Sequence, residues 1–444
     1  MTAMDTIFAL SSGAGRSAVA VIRISGPAAS DVLARVAGGK PAARVVALRT
    51  IRDPVTGEAL DRGMVLWSPA PRSFTGEDCA ELHLHGSAAV VGAVLKALNG
   101  QPGLRPAEAG EFTRRAFLNG KMDLVEAEGL ADLLQARTAG QRRQAFRQMS
   151  GMASSVFDAW RRQLLLIRAD IEAVVDFADE PGVAEEASSG IDARISILAT
   201  EMSSALQKSA AAEVVRDGVR VVLAGRPNTG KSSLLNALAR REAAIVSEIP
   251  GTTRDAIEVS LDINGIPVNL TDTAGLRDGA ADVVEEEGIR RSRTHIAEAD
   301  IVVWVWSSDV PGSRTPDGVP GLVVQNKADL DSGLFRNDPM SDDRPLRVST
   351  LTGEGISGLL QKLTAVLQHH YGDVESSLLV SARQTAAVQR SIRLLNDALA
   401  VPAEHLEIKA EQIRSSSEEI GRLTGRIGVE EWLGEIFSRF CIGK

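Results

Sequence analysis

At 444 residues the chain is too long for one hydrophobic core, and we expect roughly two to four domains. Its formal net charge is −9, from 49 basic and 58 acidic side chains, which argues against binding nucleic acid by bulk electrostatics but leaves room for a local basic patch. Aromatic residues make up 4%, which weakens the case for a broad base-stacking surface. Two cysteines, Cys79 and Cys441, exclude a disulfide-scaffolded fold and fit a reducing cytoplasm.

The sequence shows neither a targeting signal nor a membrane span. The N-terminal segment MTAMDTIFALSSG lacks a basic region followed by a long apolar core, so we expect no signal peptide. No window approaches the uninterrupted apolar run of about 18 residues that a membrane span needs. We therefore expect a cytoplasmic protein without a membrane anchor.

Residues 1–118 mix strand and helix signals. Short β-branched runs alternate with apolar stretches of helical spacing, and Gly26-Pro27 and Asn99-Gly100 interrupt them. We predict an α+β domain with strands at 18–24, 62–67 and 79–85 and helices at 28–37 and 87–98.

From about residue 111 to 213 the composition becomes rich in Ala, Leu, Gln, Arg and Glu, which favours helices. The acidic run 176–186 contains Pro181-Gly182 and predicts a loop before a helix at 191–212. Helical composition returns after Tyr371, so we predict a discontinuous helical bundle domain, 119–216 and 372–444, with an α/β domain at 217–371 inserted into it. Two apolar stripes predict buried helix faces: Leu124, Ala127, Leu130 and Leu134, and then Phe157, Trp160, Leu164, Ile167 and Ile171.

Residues 225–232, GRPNTGKS, fit the phosphate-loop pattern G-x-x-x-x-G-K-[ST]. An apolar β-branched run at 219–224 precedes the loop and a helix-like run at 233–239 follows it, so that backbone N–H groups and a helix N-terminus can point at one anion. We expect Lys231 to reach the terminal phosphates and the Ser232 hydroxyl to bind Mg²⁺. Alternating strand and helix signals through 217–371 predict a doubly wound parallel sheet.

Three further segments indicate that the nucleotide is GTP. Asp272-Thr273-Ala274-Gly275 follows a strand-like run, so its carboxylate can hold Mg²⁺ through water and its glycine can contact a γ-phosphate. Asn326-Lys327-Ala328-Asp329 offers an aspartate to the N1–H and 2-amino group of guanine, a donor pair that adenine lacks. Ser349-Thr350-Leu351 lies where the O6 of guanine would meet backbone N–H groups. From the phosphate loop, the predicted GTP-binding residues are Asn228, Thr229, Gly230, Lys231, Ser232 and Ser233.

A switch segment is predicted between the phosphate loop and Asp272. We expect Thr253 to supply a second hydroxyl to Mg²⁺ when the γ-phosphate is present. Leu276 follows the Asp-Thr-Ala-Gly motif, where Ras-like enzymes have a glutamine that orients water. Leucine cannot polarise water, so another group must do so, and the acidic run 282–287 contains candidates. The predicted switch residues are Ser247, Glu248, Ile249, Pro250, Gly251, Thr252 and Thr253.

Three charges on the N-terminal side, Arg23, Glu81 and Lys121, are embedded in otherwise apolar or glycine-bearing motifs. From the residues alone, we expect a structural role for each of them, with a functional role as the alternative. The final four residues, Cys-Ile-Gly-Lys, do not fit a prenylation signal, because Gly443 takes the place of an aliphatic spacer and the last residue is a lysine. We expect the Cys441 thiol either to enter an active site or to be disordered.

These motifs resemble the MnmE (TrmE) family of tRNA modification GTPases over nearly the whole chain. The terminal Cys-Ile-Gly-Lys joined to a GTPase is a very specific combination. The resemblance is carried by residues 15–16 and 22–26, 74–78, 85–86, 110–113 and 115–121, by the GTPase motifs, and by the tail from Ile436 to Lys444.

The resemblance implies a folate-binding-like N-terminal domain at 1–118 that dimerises, beside the helical domain and a Ras-like GTPase domain. A tetrahydrofolate donor, in its 5-formyl or 5,10-methylene form, would bind near Arg23, Glu81 and Lys121, with Lys444 approaching it. A carboxylate such as Glu81 can pair with adjacent N–H donors of a pterin, and cations suit the glutamate tail of a folate. Cys441 would lie near the one-carbon unit.

The resemblance also implies a GTPase that is activated when its G domains dimerise. K⁺ would stand where other GTPases use an arginine finger, and Glu285 would orient the attacking water. This chain has one residue more than the family between Gly275 and that glutamate, so Glu286 and Glu287 are alternatives. The implied K⁺ ligands are Asn228, Ser247, Ile249 and Thr252.

Members of the family act with the flavoprotein MnmG (GidA), in a heterotetrameric or larger complex. Together they add an aminomethyl or carboxymethylaminomethyl group at C5 of the wobble uridine (U34) of certain tRNAs. We therefore expect a K⁺-stimulated, Mg²⁺-dependent GTPase of tRNA modification. One alternative is a ribosome-assembly or RNA-chaperone GTPase of the Era type, which would leave the N-terminal motifs unexplained. Another is a helical dimer scaffold in which GTP is only a switch, and GTP turnover in KCl and in NaCl would discriminate it.

Overall fold

The computed structural model describes residues 5–176, 183–241, 258–272, 296–310, 321–330, 345–371, 377–402, 405–428, 430–438 and 440–444. The chain forms two compact units. The first consists of Met1–Ala131, Arg147–Leu166 and Arg414–Lys444, and the second of Asp132–Phe146 and Ile167–Ile413.

The first unit contains a six-stranded sheet in the order β3-β4-β5-β2-β1-β6, in which only the β1–β6 pair is parallel. One face of the sheet is fully buried, as at Ile22, Ile24 and Leu82, and it packs against two helices, α1 (Ala29–Ala37) and α2 (Ala88–Asn99). The strands are β1 (Thr6–Leu10), β2 (Ser17–Ser25), β3 (Ala47–Arg52), β4 (Ala59–Ser68), β5 (Cys79–Gly86) and β6 (Leu104–Pro106).

Helices account for most of the other described residues in both units. Their apolar residues recur three and four positions apart, which gives each helix a buried stripe. The helices after α2 are α3 (Glu111–Leu118), α4 (Leu124–Gln135), α5 (Ala139–Met149), α6 (Met152–Asp176), α7 (Val183–Gln207), α8 (Ser209–Asp217), α9 (Lys231–Arg241), α10 (Ile356–Tyr371), α11 (Ala382–Ala400), α12 (Leu406–Leu423) and α13 (Glu430–Ser438).

The C-terminal tail returns to the sheet of the first unit. Ile442 forms an antiparallel bridge with Ala109. Gly443 has a φ of +100°, and a Cβ there would lie 2.1 Å from the carbonyl oxygen of Leu10, so only glycine lets the tail lie this close to β1. Upstream of the tail, Phe437 and Phe440 pack on Leu124 of α4. The last four residues therefore have a defined position in the fold.

The second unit contains the other six-stranded sheet, in the order β12-β11-β10-β7-β9-β8. All pairs are parallel except the β8–β9 hairpin. β7 lies between β9 and β10. The chain therefore continues from β7 to strands on one side of it and then crosses to strands on the other side. Doubly wound sheets bind ligands at such a switch point. The strands are β7 (Val219–Ala224), β8 (Glu258–Ile263), β9 (Ile266–Asp272), β10 (Ile301–Ser307), β11 (Gly321–Asn326) and β12 (Leu346–Arg347).

The structure confirms the predicted mixture of an α+β region, helices and a doubly wound sheet, and it differs from the sequence-based elements in several places. Strands β1, β3 and β6 were not predicted. Residues 183–186, predicted as loop, are the first turn of α7. Leu134, predicted as core, is 47% exposed, whereas the second stripe, from Phe157 to Ile171, is buried as expected. Among the described residues, no helix has the length and apolar character of a membrane span.

Candidate functional site

The phosphate loop connects β7 to α9 and is built on left-handed backbone. Gly225, Asn228 and Gly230 have φ values of +145°, +65° and +88°. A Cβ on Gly225 would lie 2.1 Å from the carbonyl oxygen of Val305, and one on Gly230 would lie 2.2 Å from Nδ2 of Asn326. Both positions therefore require glycine, and the loop can turn its N–H groups toward an anion at the start of α9.

The ammonium group of Lys231 lies against the phosphate loop. Its side chain is buried, and Nζ donates to the carbonyl oxygens of Gly225 and Arg226 at 2.9 and 3.0 Å. A buried cation needs such partners, and phosphate oxygens can take their place. The loop thus holds its cation in position for an anionic ligand.

A hydroxyl and a carboxylate meet at the predicted Mg²⁺ site. Ser232 Oγ donates to Oδ2 of Asp272, which ends β9 and is almost fully buried. Oxygen ligands of this kind are those that Mg²⁺ prefers, and it usually completes its shell with water and phosphate. The pair therefore fits the metal. Among the described residues no cluster of three or more His, Cys, Asp or Glu side chains could hold a metal by itself.

Asn326 links the base-recognition segment to the phosphate loop. Its Nδ2 donates to the carbonyl oxygens of Thr229 and Gly230 at 3.0 and 3.4 Å. Its Oδ1 is buried and has no hydrogen-bond partner in the described part of the chain. A buried acceptor without a donor is costly, so this oxygen is available to a ligand N–H or a water molecule.

The remaining base-recognition residues are held by local hydrogen bonds. Lys327 has a φ of +59°, and its Nζ lies 2.7 Å from Asp309, where hydrogen bonds from Lys327 and Ser307 keep the pKa of Asp309 below its ordinary value. Ser349 Oγ donates to Oδ1 of Asp329, the predicted guanine-binding carboxylate. Leu351 is 84% exposed at the tip of the following turn. Asp329 is thus held in position by the hydroxyl of Ser349.

Several predicted GTPase residues cannot be placed. The switch residues from Ser247 to Thr253, the segment Thr273-Ala274-Gly275, and the candidate water-orienting residues Glu285, Glu286 and Glu287 lie outside the described residues. Of the predicted K⁺ ligands only Asn228 is described, and its side chain is exposed at the loop.

The second site lies on the other face of the N-terminal sheet. Arg23 of β2 and Glu81 of β5 are direct cross-strand partners. Arg23 Nε and Nη2 both approach Oε1 of Glu81, at 3.1 and 3.0 Å, and His83 Nε2 lies 3.1 Å from Oε2. The guanidinium also lies over the rings of Phe74 and Phe112, 4.8 and 5.8 Å from their centroids. Strand pairing and stacking thus fix this ion pair.

The carboxylate of Glu81 is ionised and already well supplied with donors. Burial raises its pKa, but the charge of Arg23 and the hydrogen bond from His83 outweigh burial and hold the pKa below its ordinary value. Two nitrogens of Arg23 contact Oε1 of Glu81, and His83 contacts Oε2. A ligand with two adjacent N–H donors therefore has to displace Arg23 or His83 to bind both oxygens.

The C-terminal Lys444 shares this environment. Its pKa is lowered by burial and by the charge of Arg23, and this is partly offset by Glu81 and Cys441. Cys441 is exposed and free. Lys121 is also exposed and donates from Nζ to the carbonyl oxygen of Pro71 at 2.9 Å. The structure brings Arg23, Glu81, Cys441 and Lys444 together, while Lys121 lies against the loop that carries Phe74.

A buried ionic network fixes α3 beneath this site. Glu111 accepts from Arg105 at 2.6 Å and from Arg115 at 2.9 Å, and Arg115 also pairs with Glu77 at 3.1 Å. Burial raises the pKa of Glu111, but hydrogen bonds from Arg105, the Glu108 N–H and Arg115 outweigh it and lower the pKa to about 2. The network holds the helix that carries Phe112.

Sequence reasoning missed three residues of this second site. His83 could have been found, because it is two positions from Glu81 on a predicted strand and so shares its face. Phe74 and Phe112 carried no such signal, since nothing in their spacing indicates that their rings meet Arg23.

Comparisons with known proteins agree with this architecture. A family model described as "GTP-binding protein TrmE N-terminus" matches residues 6–121, and one described as "MnmE helical domain" matches residues 124–441. The crystal structure of the G domain of the T. maritima FeoB iron transporter is 24% identical over 34% of this chain and 98% of that chain, but its TM-score of 0.23 is too low to support an argument.

Curated relatives align over the full length. Proteins named "tRNA modification GTPase MnmE" from Methylobacterium sp., Rhodopseudomonas palustris and Sinorhizobium medicae are 51%, 46% and 47% identical to this chain. Each alignment covers 99% of this chain, and 100%, 99% and 99% of the respective relative. On these matches, the chain belongs to the MnmE family of tRNA modification GTPases.

Proposed function

We propose that this protein uses GTP hydrolysis to drive the modification of C5 of the wobble uridine in certain tRNAs, together with MnmG. The observation that carries the nucleotide half is the convergence of Lys231, the Ser232–Asp272 pair and Asn326 on one glycine loop. The printed names of the relatives, which describe tRNA modification GTPases, support the other half.

In the nucleotide site, each described residue has a role that follows from its present partners. Lys231 exchanges loop carbonyl oxygens for terminal phosphate oxygens, and Asp329 accepts from the base. Ser232, with Thr253, would bind Mg²⁺ directly and Asp272 would hold it through water, and the metal would neutralise phosphate charge. Asn228, with Ser247, Ile249 and Thr252, would hold K⁺.

The Arg23–Glu81 site would bind the tetrahydrofolate donor. Glu81 recognises paired N–H donors of the pterin, and Arg23, Lys121 and Lys444 supply positive charge for the glutamate tail. Lys444 and Cys441 approach the same region, which supports a role for the tail near the one-carbon unit. The donor could be the 5-formyl or the 5,10-methylene form.

The proposal includes a homodimer. The sheet face that carries Glu81 also exposes Leu48 and Met64, which are cross-strand partners on the edge strand β3 and its neighbour β4. Apolar side chains side by side on a sheet edge favour burial against another surface, and a second copy of this chain would supply one. Dimerisation of the G domains would then drive hydrolysis.

Mass spectrometry of wobble nucleosides tests the function as a whole. A strain lacking the protein should lose the aminomethyl and carboxymethylaminomethyl uridines, and the wild-type protein should restore them. If the amounts of these modified uridines are the same with and without the protein, the proposal is contradicted.

Ion dependence tests the GTPase mechanism. GTP turnover should be several-fold faster in KCl than in NaCl at equal ionic strength. Turnover should be lost in Glu285→Ala but kept in Glu286→Ala, and the reverse pattern would reassign the water-orienting residue. Equal rates in the two salts would count against a K⁺-dependent mechanism.

A further inference from the structure

The charges around α5 are all positive. Between Asp132 and Asp158 the sequence has four arginines and no aspartate or glutamate, although acidic residues outnumber basic ones, 58 to 49, in the whole chain. The arginines are Arg137, Arg142, Arg143 and Arg147, and the last three belong to α5. The helix is therefore basic in a chain whose net charge is −9.

One face of α5 is fixed in the second unit by hydrogen bonds to backbone carbonyls. Thr138 Oγ1 donates to Gly265 at 2.7 Å, Gln141 Nε2 to Arg216 at 2.9 Å, and Gln144 Nε2 to Ala212 at 3.0 Å. Ala145 on the same side is 3% exposed. This face is therefore used for packing, and the helix cannot rotate to bury its other side.

Away from these contacts α5 presents Arg142, Arg143 and Phe146, all of which are exposed. Residues three and four apart are neighbours on a helix, so both arginines lie beside Phe146. We call these three residues the α5 arginine face.

Phe146 is 56% exposed. Every other Phe, Trp and Tyr whose burial the structure describes is buried or half-buried, so this ring is an exception among them. Contact with water does not stabilise an exposed phenylalanine ring, whereas stacking on a ligand would. A ring flanked by arginines suits a ligand that has both π faces and negative charge. Unpaired RNA bases on a phosphate backbone have both properties, and proteins bind them by stacking and by arginine contacts.

We propose that the α5 arginine face is a tRNA-binding surface, with its arginines on backbone phosphates and Phe146 stacked on an unpaired base. The inference rests on the proposed function, which makes tRNA the substrate. Since the chain as a whole is net negative, a basic helix face would also help to orient the RNA. An acidic protein partner could also bind the arginines but gives no reason for the exposed ring.

Binding of fluorescent tRNA to the full-length protein, measured by anisotropy over a series of salt concentrations, tests the surface. Arg142→Gln with Arg143→Gln should weaken binding at least tenfold and lower the slope of log affinity against log salt by about 2, since each phosphate contact contributes about one unit. Phe146→Ala should weaken binding about tenfold with an unchanged slope, because stacking is not ionic.

Two exposed arginines on other helices, Arg35 of α1 and Arg393 of α11, provide the matched control. The pair Arg35→Gln with Arg393→Gln removes the same charge and should leave affinity within about twofold. Equal losses in the control pair, unchanged binding in the α5 variants, or wild-type protein that does not bind tRNA would each overturn the proposal. A Phe146→Ala protein that changes its oligomeric state but not its tRNA affinity would do so as well. Circular dichroism of each variant checks that the fold is intact.

Complementation separates this inference from the proposed function. If the wild-type protein fails to restore wobble modification in the deletion strain, the function itself is wrong. If the wild-type protein and the Arg142→Gln/Arg143→Gln variant restore it equally, and tRNA affinity is also equal, only the α5 surface is wrong. Reduced modification in that variant, with restoration by the control pair, supports the surface.

Discussion

The phosphate cradle, by which we mean the glycine loop at 225–232 with Asp272 and Asn326, and the Arg23–Glu81 site hold their charges in different ways. In the cradle, Lys231 donates hydrogen bonds to carbonyl oxygens of its own loop, and the glycines set the loop's shape. In the Arg23–Glu81 site, each charge is held by an opposite charge from a distant segment of the chain. A nucleotide can therefore enter the cradle by exchanging dipoles for phosphate charge. A ligand of Glu81 must instead compete with a formal cation, so the second site depends more strongly on side-chain charge and pH.

The largest effect is expected from removing the cation of the cradle. Lys231→Ala should lower GTP turnover about 10³-fold, because a charge that stabilises transferring phosphate is lost. Steady-state phosphate release measures this. Lys208→Ala, which removes an exposed lysine next to α8, should turn over GTP at the wild-type rate. A Lys231→Ala enzyme that keeps a tenth or more of the activity would mean that the cradle does not work through this charge.

Acid should destabilise the ionic network under the second site. The pKa of Glu111 is about 2 in the folded protein, below its ordinary value of 4.5. Its stabilisation is therefore fully present above pH 4.5 and is lost as the pH falls toward 2, by up to about 3 kcal/mol. Urea unfolding of the wild-type protein and of Glu111→Gln, compared between pH 5.5 and pH 3, isolates this residue. Equal pH dependence in both proteins would show that Glu111 is not responsible.

The smallest effect separates charge from hydrogen bonding at Glu81. Glu81→Gln should weaken 5-formyltetrahydrofolate binding about 30-fold, because charge-assisted bonds are lost and Arg23 is left without its counter-charge. His83→Gln keeps a donor beside Glu81 and should change affinity by no more than about threefold. Isothermal titration calorimetry measures both. Equal losses in the two variants would show that the carboxylate charge is not what binds the ligand.

The two sites also differ in how far the sequence predicts them. Short local motifs predict the residues of the cradle. One strand–loop–helix motif predicts Lys231 and Ser232, and the order of the later motifs predicts Asp272 and Asn326. The second site is assembled from residues near positions 23, 81, 121 and 444, and no local pattern says that these meet. The family resemblance was therefore needed to group them.

The missed strands have a physical reason. β3 is an edge strand, and only Ile51 of its six residues is buried, so its apolar pattern is weak. β1, with the sequence TIFAL, is buried almost throughout and lacks the alternation of a half-exposed strand. Conversely, Leu134 matched the helical spacing of a core residue but is exposed, because spacing predicts a face and not how far along a helix the core extends.

The joint between α5 and the β8–β9 turn has a mechanical consequence. A Cβ on Gly140 would lie 2.2 Å from the carbonyl oxygen of Gly265, so two backbones touch with no side chain between them to absorb movement. Gly265 belongs to the turn that enters β9, and β9 ends at Asp272 of the predicted metal site. We expect a shift of β9 during the GTP cycle to reach α5 as a rigid displacement. Amide exchange at residues 140–144 that differs between the GTP-bound and GDP-bound states would show this transmission, and identical exchange would exclude it.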